Sequence, residues 1–449
     1  MDDARAWAFN VLGTPLRTVR VRPVDRAGAA SVVRRIHELT GGADGLPLRL
    51  WDQTTLGPAD APFRLVLTGP DAVRALLPPS DLRAGEAYVD GHIDIEGDAV
   101  AAMAAATALG ESLGAAALAR VVPEVLRLPA AGADAEGEER ARLRGRPHSP
   151  ARDRQAVQFH YDVGNDFFGL FLDEAMVYSC AYVLDADEDL ETAQRRKLDV
   201  VCRKLRLQPG DRLLDVGCGW GSLVIHAARE YGVSAVGITL SGRQLELGRA
   251  LVADAGLSDL VELRLQDYRD VTGRFDAIAS IGMFEHVGPS NLSSYFTTLR
   301  ALLADGGRIL NHGITTGRRM SDTDYTAGPP SFVSTYVFPD GGLSPAWRAV
   351  QEVEAAGFEV RDVEQLRPAY AITLRAWLRR LEARWDEAVA LVGERRARVW
   401  RIYLAGSAAL FERGDLGVVQ VLGTTGDAYG PLGRDWMLPG DVRPGDTAR

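Results

Sequence analysis

The stretch "LLDVGCGWG", residues 213–221, runs from an apolar segment through an aspartate into three glycines spaced two apart. A short apolar run bounded by a turn signal reads as a buried strand, and "SLVIHAARE" (222–230), which follows it, has helical spacing. Gly217, Gly219 and Gly221 allow the backbone to come close to a ligand. The first turn of the next helix leaves N–H groups without intrahelical partners. Outward from this turn, "RLLDVG" (212–217), "SAVGITL" (234–240), "VELRLQD" (261–267), "FDAIASIG" (275–282) and "GRILNHGI" (307–314) read as strands. Helical segments such as "SGRQLELGRALVADAG" (241–256) separate them. Strands alternating with helix-length segments imply βαβ units, and hence an α/β fold with a doubly wound, mostly parallel sheet.

Ligands of such sheets bind beyond the carboxyl ends of the strands. "SIGMFEHVG" (280–288) places Glu285 and His286 at that position, where a strand opens into a loop. Asp215 precedes the glycines without a G-x-G-x-x-G frame, which favours an S-adenosylmethionine site over a dinucleotide site.

At 449 residues the chain predicts two domains, and 46% hydrophobic with 25% charged residues is a globular composition. A net charge of −10 argues against nucleic acid as a partner, because phosphate neutralisation needs a basic excess. Three cysteines (Cys180, Cys202, Cys218) make no disulfide framework, and no Cys/His spacing suggests a metal. Met1–Arg20 has no apolar core of signal length, and no apolar run approaches the ~18 residues of a membrane span. The expectation is a cytoplasmic protein that can lie against a membrane.

Residues 1–128 read as a smaller α+β domain. "FRLVLTG" (64–70) is strand-like, and "DAVRALL" (71–77) is helical with Asp71 as N-cap. The Ala-rich stretch 97–122 is helical with a break at Gly110 or Gly114. Residues 129–155 read as a flexible, Arg-rich linker holding Arg140, Arg142, Arg144, Arg146, Arg152 and Arg154. That run is either a solvated charge run or a contact for anionic lipid. Residues 156–425 form the predicted catalytic domain, and 426–449 a turn-rich tail.

Several of these stretches together resemble the cyclopropane-fatty-acyl-phospholipid synthase family, to which mycolic acid cyclopropane synthases are related. They are "HYDVGNDFFGLFLDEAMVYSCAY" (160–182), "LDVGCGWGSL" (214–223), "GITLS" (237–241), "QDYRD" (266–270), "GMFEHVG" (282–288) and "GVVQVLG" (417–423). The resemblance runs in order from about 157 to 422. "AYVDGHIDIEGD" (87–98) resembles the extra domain of the phospholipid-acting members, which implies an N-terminal lipid-handling domain.

The resemblance implies a Rossmann-like methyltransferase domain and a methyl donor, S-adenosylmethionine, held by Tyr178, Ser179, Gly217, Gly219, Thr239, Leu240, Gln244, Asp267 and Tyr268. It further implies a bicarbonate ion as base, caged by Cys180, Glu285, His312, Ile314 and Tyr370. His312 and Tyr370 have donors for such an anion, while Cys180 and Ile314 would supply backbone N–H groups. Glu285 needs a shared proton, or a partnering histidine, to sit beside it without repulsion. His286 reads as structural. Cys180 can equally be a small buried hydrophobe, and Tyr370 ordinary helix packing. Phe167, Phe168, Phe171, Tyr336 and Phe338 read mostly as core, with some free to line an acyl tunnel.

The implied reaction adds one carbon to the cis double bond of an unsaturated phospholipid acyl chain. Ring closure gives a cyclopropane; a hydride shift before proton loss gives a methylene branch. Gly313, Ser334, Thr335 and Gly342 depart from residues common in relatives and leave room for either fate. The implied partners are the acyl chain and the anionic inner face of the membrane, with a homodimer left open and, for a methylene-branched product, a reductase left open as well.

Overall fold

The computed structural model describes residues 24–76, 80–129, 139–320 and 331–426. Met1–Arg20, residues 130–138 of the expected linker, and the tail beyond 426 lie outside the described residues. The chain divides into two compact units. One comprises Met1–Arg142, Pro329–Pro339 and Leu381–Leu410; the other comprises Leu143–Gly328, Asp340–Arg380 and Phe411–Arg449.

In the first unit, β1 (Leu48–Arg49), β2 (Thr55–Leu56), β3 (Phe63–Leu67) and β4 (Ile93–Gly97) form a sheet in the order β2-β1-β3-β4. Helices α1 (Arg26–Leu39), α2 (Asp81–Val89), α3 (Ala99–Ser112) and α4 (Ala115–Val125) accompany it. Val33 and Ile36 of α1, Val121 and Val125 of α4, and Leu67 and Ile93 of the sheet share one apolar core. The Ala-rich stretch breaks at Gly114, which stands as N-cap of α4. Asp71 does not cap as expected. Its backbone is already helical, so its side chain makes no cap bond, and its carboxylate lies 3.5 Å from His92 Nδ1.

The second unit carries the expected strands at nearly the expected limits. They are β5 (Arg212–Val216), β6 (Ser234–Thr239), β7 (Val261–Leu265), β8 (Phe275–Ile281) and β9 (Leu303–Thr316). Short β10 (Ser344–Pro345) pairs β9, while β11 (Glu359–Gln365) and β12 (Leu416–Thr424) complete an eight-stranded sheet in the order β11-β12-β9-β8-β5-β6-β7. From β7 to β9 the pairing is parallel; β12 runs antiparallel to both β9 and β11. The fold is α/β with a mostly parallel sheet.

Alternation along the strands builds two cores. Leu213, Ala277, Leu310 and Leu422 face one layer, with Val201, Leu223 and Val224. Their neighbours Leu214, Ile278, Ile309 and Val421 face the other, with Tyr295, Phe296 and Leu299. The three cysteines are free and buried. Phe167, Phe168, Phe171 and Tyr336 are buried, as a core reading expects.

The segment read as a flexible linker is more ordered than expected where it is described. Pro150 opens helix α5 (Pro150–Tyr161), since proline at the first helical position is preorganised for a helix. Arg140 is hydrogen-bonded to Glu86 and to Tyr336, and Arg152 Nη2 bonds Asp340 Oδ1 at 2.8 Å. Arg144, Arg146 and Arg154 are exposed.

Candidate functional site

The carboxyl ends of β5 to β9 bring most of the candidate residues to one edge of the sheet. Gly217 and Gly219 follow β5, Thr239 ends β6 with Leu240 next, Asp267 and Tyr268 follow β7, and Glu285 follows β8. His312 and Ile314 lie on β9, with His312 opposite Ile281, the last residue of β8.

The glycine turn requires glycine. Gly217, Gly219 and Gly221 have φ of +80°, +56° and +92°, where side chains are strained. A β-carbon built on Gly219 meets nothing within 4 Å, so this turn opens onto unfilled space. Asp215, behind the turn, is buried, and its Oδ1 has no hydrogen-bond partner among the described residues. Burial pushes its carboxyl up to about 7, against the pull of Lys197.

The β6 end is fastened by its own polar groups. Thr239 Oγ1 donates to Gln244 Oε1 at 2.6 Å, and Ser241 caps helix α8 (Gly242–Asp254; α6 and α7 are Leu190–Lys204 and Ser222–Tyr231) by accepting from Gln244 N. Gln244 therefore has its amide oxygen engaged and its NH₂ turned elsewhere. Asp267 is held from both oxygens by Arg269, whose Nε and Nη2 each lie 2.8 Å away. Arg269 also bonds Asp153 on α5 at 2.7 Å. Tyr268 packs edge-on against Tyr295 under the Arg269 guanidinium.

Tyr178, Ser179 and Cys180 lie on the irregular segment before α6, which bends at Ser179. The Tyr178 ring stacks on His160 and contacts Phe168 and Trp377. Ser179 Oγ accepts from Lys197 Nζ at 2.9 Å. Cys180 is fully buried, and burial raises its thiol far above the usual range, so it stays protonated and is no nucleophile. Tyr370, on α11 (Arg367–Ala383; α9 and α10 are Leu292–Leu302 and Ala346–Ala355), is buried between Phe411 and Trp377.

Glu285 and His312 form the polar end of the site. Backbone N–H groups of Glu285 itself and of Ile314 bond the Glu285 carboxylate, yet burial raises it to about 7. Its Oε2 is sealed from solvent without a partner among the described residues. His312, on the same face of β9 as Ile314, is 2% exposed and is held down to about 3 by burial and by Lys197 and Lys204. Its Nε2 likewise has no partner among the described residues. His286 is pushed down to about 4 by burial and by His148.

Two departures singled out in the sequence have packing causes. Gly313 faces the opposite side of β9 from His312, where a β-carbon would lie 2.7 Å from Phe284 Cβ. Gly342 donates its N–H to the Glu285 carbonyl, and a β-carbon there would lie 2.8 Å from Pro289 Cδ. Ser334 forms a capping box with Ser331.

Sequence reasoning passed over Lys197, Lys204 and Gln420, all 2% exposed or less. A signal existed. Lys197 and Lys204 occupy core-facing positions of helix α6, with Leu190, Leu198 and Val201, and Gln420 is the one amide within the apolar run of β12.

The family described as Mycolic acid cyclopropane synthetase matches residues 148–421. A probable fatty acid methyltransferase of Pseudomonas putida is 42% identical over 395 residues, covering 87% of this chain and 94% of that protein. The cyclopropane-fatty-acyl-phospholipid synthase of Escherichia coli K12 is 41% identical over 267 residues, 60% of this chain and 67% of that protein. A crystal structure of a mycolic acid cyclopropane synthase complexed with SAH and CTAB matches with a TM-score of 0.57 and 36% identity, over 61% of this chain and 98% of that one.

Proposed function

The chain belongs to the Mycolic acid cyclopropane synthetase family and is an S-adenosylmethionine-dependent methyltransferase, and from that premise we propose that it closes a cyclopropane ring on an unsaturated phospholipid acyl chain. The observation that carries this reading is the pairing of two unsatisfied buried groups, Glu285 Oε2 and His312 Nε2, at the strand ends that also carry the open glycine turn.

S-adenosylmethionine supplies an electrophilic methyl group for the double bond to attack, which leaves a cation on the acyl chain that must lose a proton. The residues present fit this donor: Gly219 borders open space, and Asp215 keeps a buried oxygen unsatisfied. Tyr178, Ser179, Thr239, Leu240, Gln244, Asp267 and Tyr268 would complete its site. Bicarbonate would supply a compact base for the departing proton. His312 Nε2 and the Tyr370 hydroxyl would donate to it, with the backbone N–H of Cys180 beside them, while the Ile314 N–H expected there holds the Glu285 carboxylate instead. Glu285, with its carboxyl raised to about 7, keeps a proton near neutrality and so meets an anion without repulsion. Burial of this end excludes water that would otherwise capture the cation.

The lipid substrate implies contact with a membrane surface. Among the described residues no single helix is long and apolar enough to cross a membrane. The exposed Arg144, Arg146 and Arg154 give a net acidic chain a local attraction for anionic lipid. We assign lipid handling to the N-terminal unit on its resemblance alone.

Expression in a host with unsaturated phospholipids, followed by mass spectrometry and NMR of the extracted acyl chains, tests the reading. The expected product is one CH₂ heavier, with ring-proton signals. Signals of an exocyclic methylene would overturn ring closure and imply a partner reductase. Unchanged lipids with a folded, donor-binding protein would overturn the substrate.

A further inference from the structure

Three neighbouring strands align one row of polar side chains. Glu364 on β11 stands opposite Gln420 on β12, and Gln420 stands opposite His312 on β9. Lys204, the last residue of α6, is fully buried against this row. Its Nζ donates to Gln420 Oε1 at 2.8 Å and pairs with Asp362 at 3.2 Å and with Glu364. An ammonium can only donate, so the amide oxygen of Gln420 must face it. The NH₂ of the same amide is then turned to His312, where Nε2 lies 3.1 Å from the imidazole Nδ1. An amide NH₂ also only donates. His312 Nδ1 must therefore accept, and in a neutral ring the proton resides on Nε2.

We propose that Lys204 and Gln420 are a positioning relay that fixes His312 as its neutral Nε2–H tautomer and presents that N–H to the anion-binding end of the site. What the N–H meets there rests on the function proposed above; the tautomer rests only on the relay. Burial and the two nearby lysines keep the ring neutral, which agrees. The consequence is chemical. A ring whose Nε2 already carries a proton cannot accept another there, so His312 acts as a hydrogen-bond donor and the proton leaving the substrate goes elsewhere. Lys204 and Gln420 touch no substrate; they act through His312.

The test is long-range ¹H–¹⁵N NMR of the full chain labelled in histidine, with the His312 signals assigned by their loss in His312→Ala. The expected wild-type pattern is a protonated Nε2 and a bare Nδ1. Gln420→Glu replaces the amide donor by a carboxylate that only accepts, which should move the proton to Nδ1. Turnover should then fall by about 10²-fold, the scale of one lost preorganised hydrogen-bond donor, with S-adenosylmethionine binding retained. Gln420→Met, which introduces no charge and guards against misfolding of the first variant, should show both tautomers and a smaller loss. A wild-type ring protonated on Nδ1 or on both nitrogens, or a Gln420→Glu ring still protonated on Nε2, overturns the relay. A tautomer that moves as expected while turnover stays normal supports the relay and overturns the role given to His312.

Discussion

Lys197 donates from Nζ to Ser179 Oγ at 2.9 Å, tying a helix interior to the segment that carries Tyr178, Ser179 and Cys180. The lysine is 2% exposed, and burial lowers its ammonium to about 8. Asp173 and Asp215 oppose that shift, so the same ammonium serves both the Ser179 segment and the strand end that carries the glycine turn. Removing it with Lys197→Met should weaken S-adenosylmethionine binding by about 10- to 10²-fold, as one lost charged hydrogen bond of ~1.5–3 kcal/mol would. Isothermal calorimetry measures this, and equal affinity in the folded variant would disconnect Lys197 from the donor site.

Glu285 makes stability depend on pH in a direction that can be derived. Its carboxyl is raised from 4.5 to about 7 on folding, chiefly by burial. Between those values the folded state holds more protons than the unfolded one, so this group's contribution falls as pH rises and is fully lost above about 7. Glu285→Gln does not titrate. The variant should gain stability relative to wild type as pH rises through this window, while turnover drops by about 10²-fold or more. Urea unfolding of both proteins across the pH series checks it; a constant gap would contradict the buried carboxyl.

Gly219 tests the donor cradle. A side chain there would enter open space at a φ of +56°. Gly219→Val should abolish measurable S-adenosylmethionine binding by calorimetry, at a folding cost of about 1–3 kcal/mol from backbone strain. Retained affinity would place the donor elsewhere.

Gly313→Thr separates packing from product choice. With 2.7 Å between a β-carbon and Phe284 Cβ, the change should destabilise the protein by about 1–3 kcal/mol. Because Gly313 faces away from His312, the ratio of cyclopropane to methylene product should not move. A changed ratio in the lipid spectrum would return this residue to the site.

Arg140 and Arg152 are already engaged with Glu86 and Asp340, so the membrane attraction falls to the exposed members of the run. Replacing Arg144, Arg146 and Arg154 with Ser should weaken binding to anionic vesicles, most at low salt where screening is least. Each arginine near the surface is worth ~1 kcal/mol. Co-sedimentation that is equal for both proteins at every salt concentration would leave these residues as solvated charge.

Features that depend on neighbours along the chain were readable before folding was considered. The parallel strands β5 to β9 were legible because apolar runs and helical periodicity are local signals; glycine's cost in a helix left the break open between Gly110 and Gly114, and the fold places it at Gly114. The glycine turn was legible because its positive φ values leave few alternatives. Glu285 stood out because it follows a buried strand at the edge where ligands bind.

Which distant groups meet followed from the folded chain alone. β11 and β12 add an antiparallel pair to the sheet, and their register aligns Glu364, Gln420 and His312 although these lie far apart in sequence. No spacing rule carries that register; it depends on which strands the core brings together. Lys204 drew no notice in the sequence, and only its burial gave it Asp362, Glu364 and Gln420 as partners. Likewise Gly313 read as a change at the site until alternation along β9 turned it toward Phe284. A charge, an amide or a missing side chain means little until its surroundings are fixed, because burial and partner geometry, rather than residue type, set its protonation and its role.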